Sequence, residues 1–236
     1  MNNRLISTIL PKMIHAVLFD LDGTLYDSES FYYGIYRDWL LEHFGAAITI
    51  EEFDHFELVL DDALIAHLID SRRLVPAKGQ NAASVRADIL AESRRRFDEL
   101  IESESAQTGA MLLRDFRACV DVPFALVTCS EIPNVYPFLD RYHLHDVFDL
   151  VLTGEDVAHK KPEPEIFHKA LNHFGIDAAQ AIAIEDARRG VLAARAAGIT
   201  VIRPTAYLLV HEPMPEAVEV ADLQSALALI EPLCAR

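Results

Sequence analysis

Short apolar or β-branched runs punctuate the chain at Ile14 to Phe19, Phe124 to Thr128, Leu150 to Thr153, Ala181 to Ile184 and Thr200 to Ile202. Amphipathic segments separate them from residue 121 onward. Strands that alternate with helical patterns predict a parallel sheet covered on both faces, because only strands buried on both sides read as unbroken apolar runs. The expected class is α/β, with a doubly wound parallel-sheet core.

Between about 28 and 105 the alternation stops and the pattern is helical throughout. Asp27 or Ser28 can cap a helix whose apolar positions Phe31, Ile35 and Trp39 recur every four residues, and Gly45 stands where a left-handed stop is useful. Thr49 with Glu52 forms a capping box for a second helix bearing Phe53, Phe56 and Leu60. A third helix is predicted from about Ala82 to Ile101. This stretch is read as an inserted α-helical cap domain lying over the C-terminal end of the first strand. Its linkers are Asp27 to Ser30 and Ala106 to Thr108, and Gly109 serves as a hinge. The expected division is 1–26 and 109–236 for the core, and 27–108 for the cap.

The 236-residue length suits one large domain or a domain with an insertion, and 51% hydrophobic with 25% charged residues is a soluble, globular composition. Thirty-seven acidic against 21 basic residues give a net charge of −16, which repels nucleic acid and anionic membrane surfaces. A small phosphorylated metabolite remains an acceptable partner, because a few cations and a metal can reverse the potential inside one cleft. The three cysteines, Cys119, Cys129 and Cys234, have neither disulfide pairing nor metal-ligand spacing. A reducing cytoplasm is the expected location. Arg4 and the apolar run from Leu5 to Leu10 are broken by Pro11 and Lys12 before reaching signal-peptide length, and no stretch has transmembrane length. With no separate dimerisation signal, a monomer is expected.

The sharpest chemical signal is Phe19-Asp20-Leu21-Asp22-Gly23-Thr24-Leu25, where an apolar strand ends abruptly in two carboxylates and a glycine. Ligands of open α/β sheets bind at the carboxyl ends of strands, so both acids reach the functional edge. Acids two apart near a strand end can face one side. That pair suits a divalent cation and a division of labour between an ionised nucleophile and a proton carrier. A strand followed by an acidic turn accounts for the same spacing.

Four segments in order decide between these readings by resemblance. Asp20 to Thr24 resembles the Asp-x-Asp-Gly-Thr motif of the haloacid dehalogenase-like superfamily. Ala125 to Ser130 is similar to its second motif, Lys161-Pro162-Glu163-Pro164-Glu165 to its third, and Ile184 to Gly190 with Ala196-Ala197-Gly198-Ile199 to its acidic fourth. The likeness spans about 13 to 203, with the insertion where this family places a helical cap of its first type, on a Rossmann-like core.

The resemblance implies that Asp20 is the nucleophile and Asp22 the general acid and base. Thr128 and Lys161 are catalytic residues that bind phosphate, joined by Thr24 and by backbone N–H groups of Leu21 and Cys129. It implies Mg²⁺ held by the Asp20 carboxylate, the Asp22 backbone carbonyl and an acid of the fourth motif, with Asp186 the chosen ligand and Glu185 a water-mediated partner. A carboxylate nucleophile and a phosphate dianion repel each other, so the cations are a physical requirement.

Three departures bear on this transfer, the first being Cys129 at a position that is often asparagine in relatives. His159-Lys160-Lys161 offers two lysines, of which Lys161 is preferred because it precedes Pro162, while Lys160 is read as solvated. Gly190 stands where some relatives place another aspartate. Arg94-Arg95-Arg96 spans most of a helical turn and cannot all face inward, so it is read as a solvated or ion-paired face. His67 and His143 are read as structural, and Tyr26 as packing.

The implied function is a Mg²⁺-dependent phosphatase acting on a small phosphomonoester through an aspartyl-phosphate. A phosphomutase that returns the phosphoryl group to a sugar is the nearest alternative, but no second-phosphate set is evident in the cap. Dehalogenation is disfavoured by Asp22, and an idle binding protein by the intact polar motifs.

Overall fold

The computed structural model describes residues 10–56 and 62–234. Arg4, the run from Leu5 to Ile9, and Leu60 lie outside the described residues. The chain divides into two compact units: Met1–Asp27, Ile101–Leu208 and Glu212–Arg236 form one, and Ser28–Leu100 with Leu209–His211 the other.

Six parallel strands build the first unit: β1 (Ala16–Phe19), β2 (Phe124–Val127), β3 (Leu150–Leu152), β4 (Ala181–Ile184), β5 (Thr200–Pro204) and β6 (Val218–Val220). Their order is β3-β2-β1-β4-β5-β6, so the chain runs outward from β1 on one side and then, from β4, outward on the other. The switch between β1 and β4 opens a crevice at their carboxyl ends, where ligands of such sheets bind. Phe19 pairs with Leu126 on one side and Ile184 on the other, which brings the residues after all three strands to one edge. Ala-Val-Leu-Phe of β1 and Ala-Ile-Ala-Ile of β4 are buried on both faces. Four of the five expected runs end within a residue of an observed strand terminus, and β5 extends two residues further to include Arg203 and Pro204. The missed strand, β6, has only Val-Glu-Val, too short and too charged to register as an apolar run.

The second unit holds α1 (Ser28–Phe44), α2 (Ile50–His55), α3 (Ala63–Asp70), α4 (Ala82–Arg95) and most of α5 (Phe97–Ile101). The face of α1 that is buried is Tyr32, Ile35, Tyr36 and Leu40, leaving Phe31 and Trp39 partly buried, so the expected stripe is rotated by one residue. Gly45 stops α1 with φ +65°, and the N–H groups of Gly45 and Ala46 close back on Leu41 and Leu40. Both hydrogen bonds of the Thr49 and Glu52 capping box form. The helix expected over 82–101 is interrupted at Arg96, next to buried Ser93, whose hydroxyl donates to the Ile89 carbonyl at 3.1 Å, a contact that bends helices. Arg95 pairs with Glu92 and Arg96 with Glu99, in keeping with an ion-paired face.

In the first unit α6 (Glu104–Cys119) passes straight through the expected second linker. Gly109 is not a hinge there: a Cβ on it would lie 1.9 Å from the Leu25 carbonyl oxygen, so the glycine admits helix against loop. α7 (Ile132–Arg141), α8 (Glu165–Phe174), α9 (Arg188–Ala196) and α10 (Leu223–Ile230) complete the unit. Among the described residues no helix is long and apolar enough to cross a membrane.

Candidate active site

The strand ends deliver the site. Asp20 follows β1 and is fixed by its N–H, which donates to the Ile184 carbonyl at 2.9 Å across to β4. Thr128 follows β2, with its N–H donating to the Leu152 carbonyl at 3.0 Å, and Glu185 and Asp186 follow β4. Lys161 arrives from the loop before α8, with a cis peptide bond to Pro162.

Their side chains converge. The Lys161 ammonium donates to Asp20 Oδ1 at 2.5 Å, to Glu185 Oε2 at 2.5 Å and to the Val127 carbonyl at 2.9 Å, all buried. It also lies 5.3 Å from the centre of the Phe167 ring. Burial alone pulls its pKa down, but the Asp20 and Glu185 carboxylates overcome that and hold it well above the ordinary lysine value. The ammonium is therefore permanently charged. Burial holds Glu185 well above the usual carboxylate range, with Asp20 and Asp186 pushing the same way and Lys161 opposing. Three clustered carboxyl groups, two of them on the single Lys161 ammonium, are an excess of acid over base, which favours a proton or a cation.

The neighbours of Asp186 fix its orientation. Thr24 donates its hydroxyl to Asp186 Oδ1 at 3.0 Å. Gly23, at φ +71°, lies so near that a Cβ on it would stand 2.1 Å from Asp186 Oδ2. The tight exit is closed by the Gly23 N–H on the Tyr26 carbonyl and the Leu25 N–H on the Leu21 carbonyl. Gly190 makes the same allowance for Glu185, since a Cβ there would fall 2.0 Å from the carboxyl carbon. Replacing Gly190 with Ala displaces the Glu185 carboxylate and should cost roughly 1–3 kcal/mol of stability. The thermal midpoint checks that, and metal affinity should fall with it.

Ligand atoms of Asp20, Glu185 and Asp186 all lie within 4.8 Å of one another, a group that could hold a metal ion. Its donors are hard carboxylate oxygens, which suit Mg²⁺, Mn²⁺ or Ca²⁺ and not a soft metal. The donor set thus fits the divalent cation that the resemblance implies.

Of the expected site residues, Asp20, Leu21, Thr24, Thr128, Cys129, Lys161, Glu185 and Asp186 are buried together around these strand ends, and Asp22 is half-buried beside them. Burial raises the pKa of the Cys129 thiol, which disfavours a thiolate there. Lys160, expected in solvent, is half-buried, while His159 is exposed beside Glu165. Tyr26 packs edge-on against Phe138 at 4.9 Å between ring centres. Sequence reasoning missed two groups. The Ser130 hydroxyl donates to Asp22 Oδ2, and its N–H to Thr128 Oγ1 at 3.0 Å. Arg203 reaches the Asp186 backbone. Ser130 carried a faint signal as the end of the second motif; Arg203 carried none, lying 17 residues from Asp186.

An open parallel sheet with this acid and lysine cluster at its switch point defines a class, and comparison with known proteins names it. The model of the haloacid dehalogenase-like hydrolase family matches residues 17–203. The chain belongs to that family. It is 31% identical over 219 residues to protein CbbY of Cereibacter sphaeroides, covering 89% of this chain and 92% of the relative. Phosphorylated carbohydrates phosphatase of Thermotoga maritima is 27% identical, with 84% and 86% covered. The crystal structure of CbbY from Rhodobacter sphaeroides in complex with phosphate superposes with a TM-score of 0.67 at 25% identity, covering 90% of this chain and 96% of that one.

Proposed function

We propose that the protein is a Mg²⁺-dependent phosphatase that hydrolyses a small phosphomonoester through an aspartyl-phosphate on Asp20. The observation that carries this reading is the buried cluster in which Lys161 touches both Asp20 and Glu185 beside Asp186. A permanently charged ammonium against one oxygen of the nucleophile leaves its other oxygen for attack, and places positive charge where the phosphoryl oxygens arrive. Relatives named phosphatases in several bacteria support the same class.

In the first displacement Asp20 attacks phosphorus in line, and protonated Asp22 donates to the departing oxygen. In the second, Asp22 takes a proton from water, which attacks the acyl phosphate and releases phosphate. Ser130 holds the Asp22 carboxylate between these duties. Lys161, the Thr128 hydroxyl and the N–H groups of Leu21 and Cys129 bind the phosphoryl oxygens. Asp20, the Asp22 carbonyl and Asp186, with Glu185 close by, would hold Mg²⁺, which supplies further positive charge to those oxygens.

The test is phosphate release from a panel of small phosphomonoesters with Mg²⁺, repeated in chelator. Hydrolysis of at least one member, lost in chelator and restored by Mg²⁺, is expected. Isomerisation of a hexose 1-phosphate without phosphate release would replace this reading with a mutase.

A further inference from the structure

We propose that Arg203 is a positioning residue whose guanidinium fixes the Asp186 backbone and thereby sets the affinity of the carboxylate cluster for its divalent cation. The inference rests on the metal-dependent reading above and concerns a residue outside the four motifs.

Arg203 lies near the carboxyl end of β5 and is only 4% exposed. Ile184 pairs with Ile202, and the Glu185 N–H donates to the Ile202 carbonyl at 3.1 Å, so Arg203 starts one residue beyond the last strand contact. From there its Nε donates to the Asp186 carbonyl at 2.6 Å. Its Nη1 donates to the Glu212 carbonyl at 2.7 Å and to Glu219 Oε1 at 2.9 Å. Glu219 faces Arg203 in register on β6 and also accepts the Met214 N–H at 2.9 Å. The guanidinium therefore ties the acidic loop to a rigid strand pair and to the loop that precedes β6.

A buried arginine is costly unless its planar fork is used, and here two edges of the fork are engaged in different directions. Glu219 neutralises its charge, so the remaining role is geometric. Asp186 is then held at three points: the side chain by Thr24, the carboxylate by contact with Gly23, and the main chain by Arg203. The side-chain restraints act only if the peptide carrying them stays in place, and the Arg203 contact holds that peptide. A residue that merely joined β5 to β6 would need the Glu219 and Glu212 contacts alone. Groups that orient a metal ligand typically change metal affinity by about 10- to 100-fold when removed.

The experiment titrates Mn²⁺ into the chelator-treated full chain, reading free ion by electron paramagnetic resonance, with circular dichroism to establish folding. For Arg203→Met the Mn²⁺ dissociation constant should rise roughly 10- to 100-fold. Phosphatase activity should recover as Mg²⁺ is raised, with substrate KM at saturating metal near wild type. Arg203→Lys, which keeps the charge and loses the fork, should recover only part of the affinity. Should Arg203→Met fail to fold, Glu219→Gln removes the anchor of the guanidinium and should weaken Mn²⁺ binding in the same direction by less. Folded Arg203→Met with wild-type affinity overturns the proposal, as does full recovery by lysine or unchanged binding in Glu219→Gln when that variant stands in. Wild-type protein that binds Mn²⁺ but hydrolyses nothing contradicts the phosphatase reading and leaves this test running, whereas wild type that binds no Mn²⁺ overturns both.

Discussion

Asp20→Asn should lower phosphate release by roughly 10⁴-fold or more while leaving the chain folded. The amide has the shape of the carboxylate but neither its charge nor its nucleophilic oxygen. Asp20 sits with its N–H bonded to Ile184 and its Oδ1 against Lys161, so an isosteric change disturbs little besides the chemistry. Removing one carboxylate from a cluster with excess negative charge should also leave the apo protein at least as stable as wild type. Initial rates and a thermal melt check the two halves. Residual activity within about tenfold of wild type would place the nucleophile elsewhere.

Lys161→Met has the opposite character, with a large effect on stability as well as on rate. The side chain is 2% exposed and touches Asp20 and Glu185, each 9% exposed or less. Methionine fills similar volume but leaves buried carboxylates facing one another without the ammonium. Breaking a buried pair in this way costs about 3–5 kcal/mol. The loss should be largest in chelator and smaller with Mg²⁺, because a bound divalent cation supplies part of the missing charge. Thermal unfolding in the two conditions measures both numbers. An equal loss in chelator and in Mg²⁺ would mean that no cation binds beside Asp20 and Glu185.

The core was legible because its strands are buried on both faces, so β1, β2 and β4 are unbroken apolar runs, and the acids following β1 and β4 stand out against them. The chemical residues were legible for a related reason: short motifs at strand ends keep their order whatever the loops do. Asp20, Thr128, Lys161, Glu185 and Asp186 fall in four separate segments; the strand order brings Asp20, Thr128, Glu185 and Asp186 to one edge, and the loop before α8 brings Lys161 to them. What escaped depends on contacts that sequence spacing does not encode. Ser130 meets Asp22 across 108 residues, and Arg203, just past the apolar run that ends at Ile202, has no visible partner until β6 places Glu219 opposite it. In α1 every residue from Phe31 to Tyr33 is aromatic, so periodicity could not say which of them faces inward; Tyr32 and Tyr36 are buried in the core of the second unit, while Phe31 and Tyr33 pack at its margin. The linker at 106–109 was misread because glycine marks both hinges and close approaches, and Gly109 is the second kind.

The most direct test of the central claim is chemical trapping of the intermediate. Wild-type protein turning over a phosphomonoester with Mg²⁺ would be quenched with borohydride, which reduces an aspartyl-phosphate to homoserine, and the digest sequenced by mass spectrometry. Reduction confined to position 20, and absent when substrate or Mg²⁺ is omitted, is the predicted result. Reduction at Asp22, Glu185 or Asp186 instead, or phosphate release under conditions that trap the acyl phosphate of a control protein but mark no carboxylate here, would contradict it.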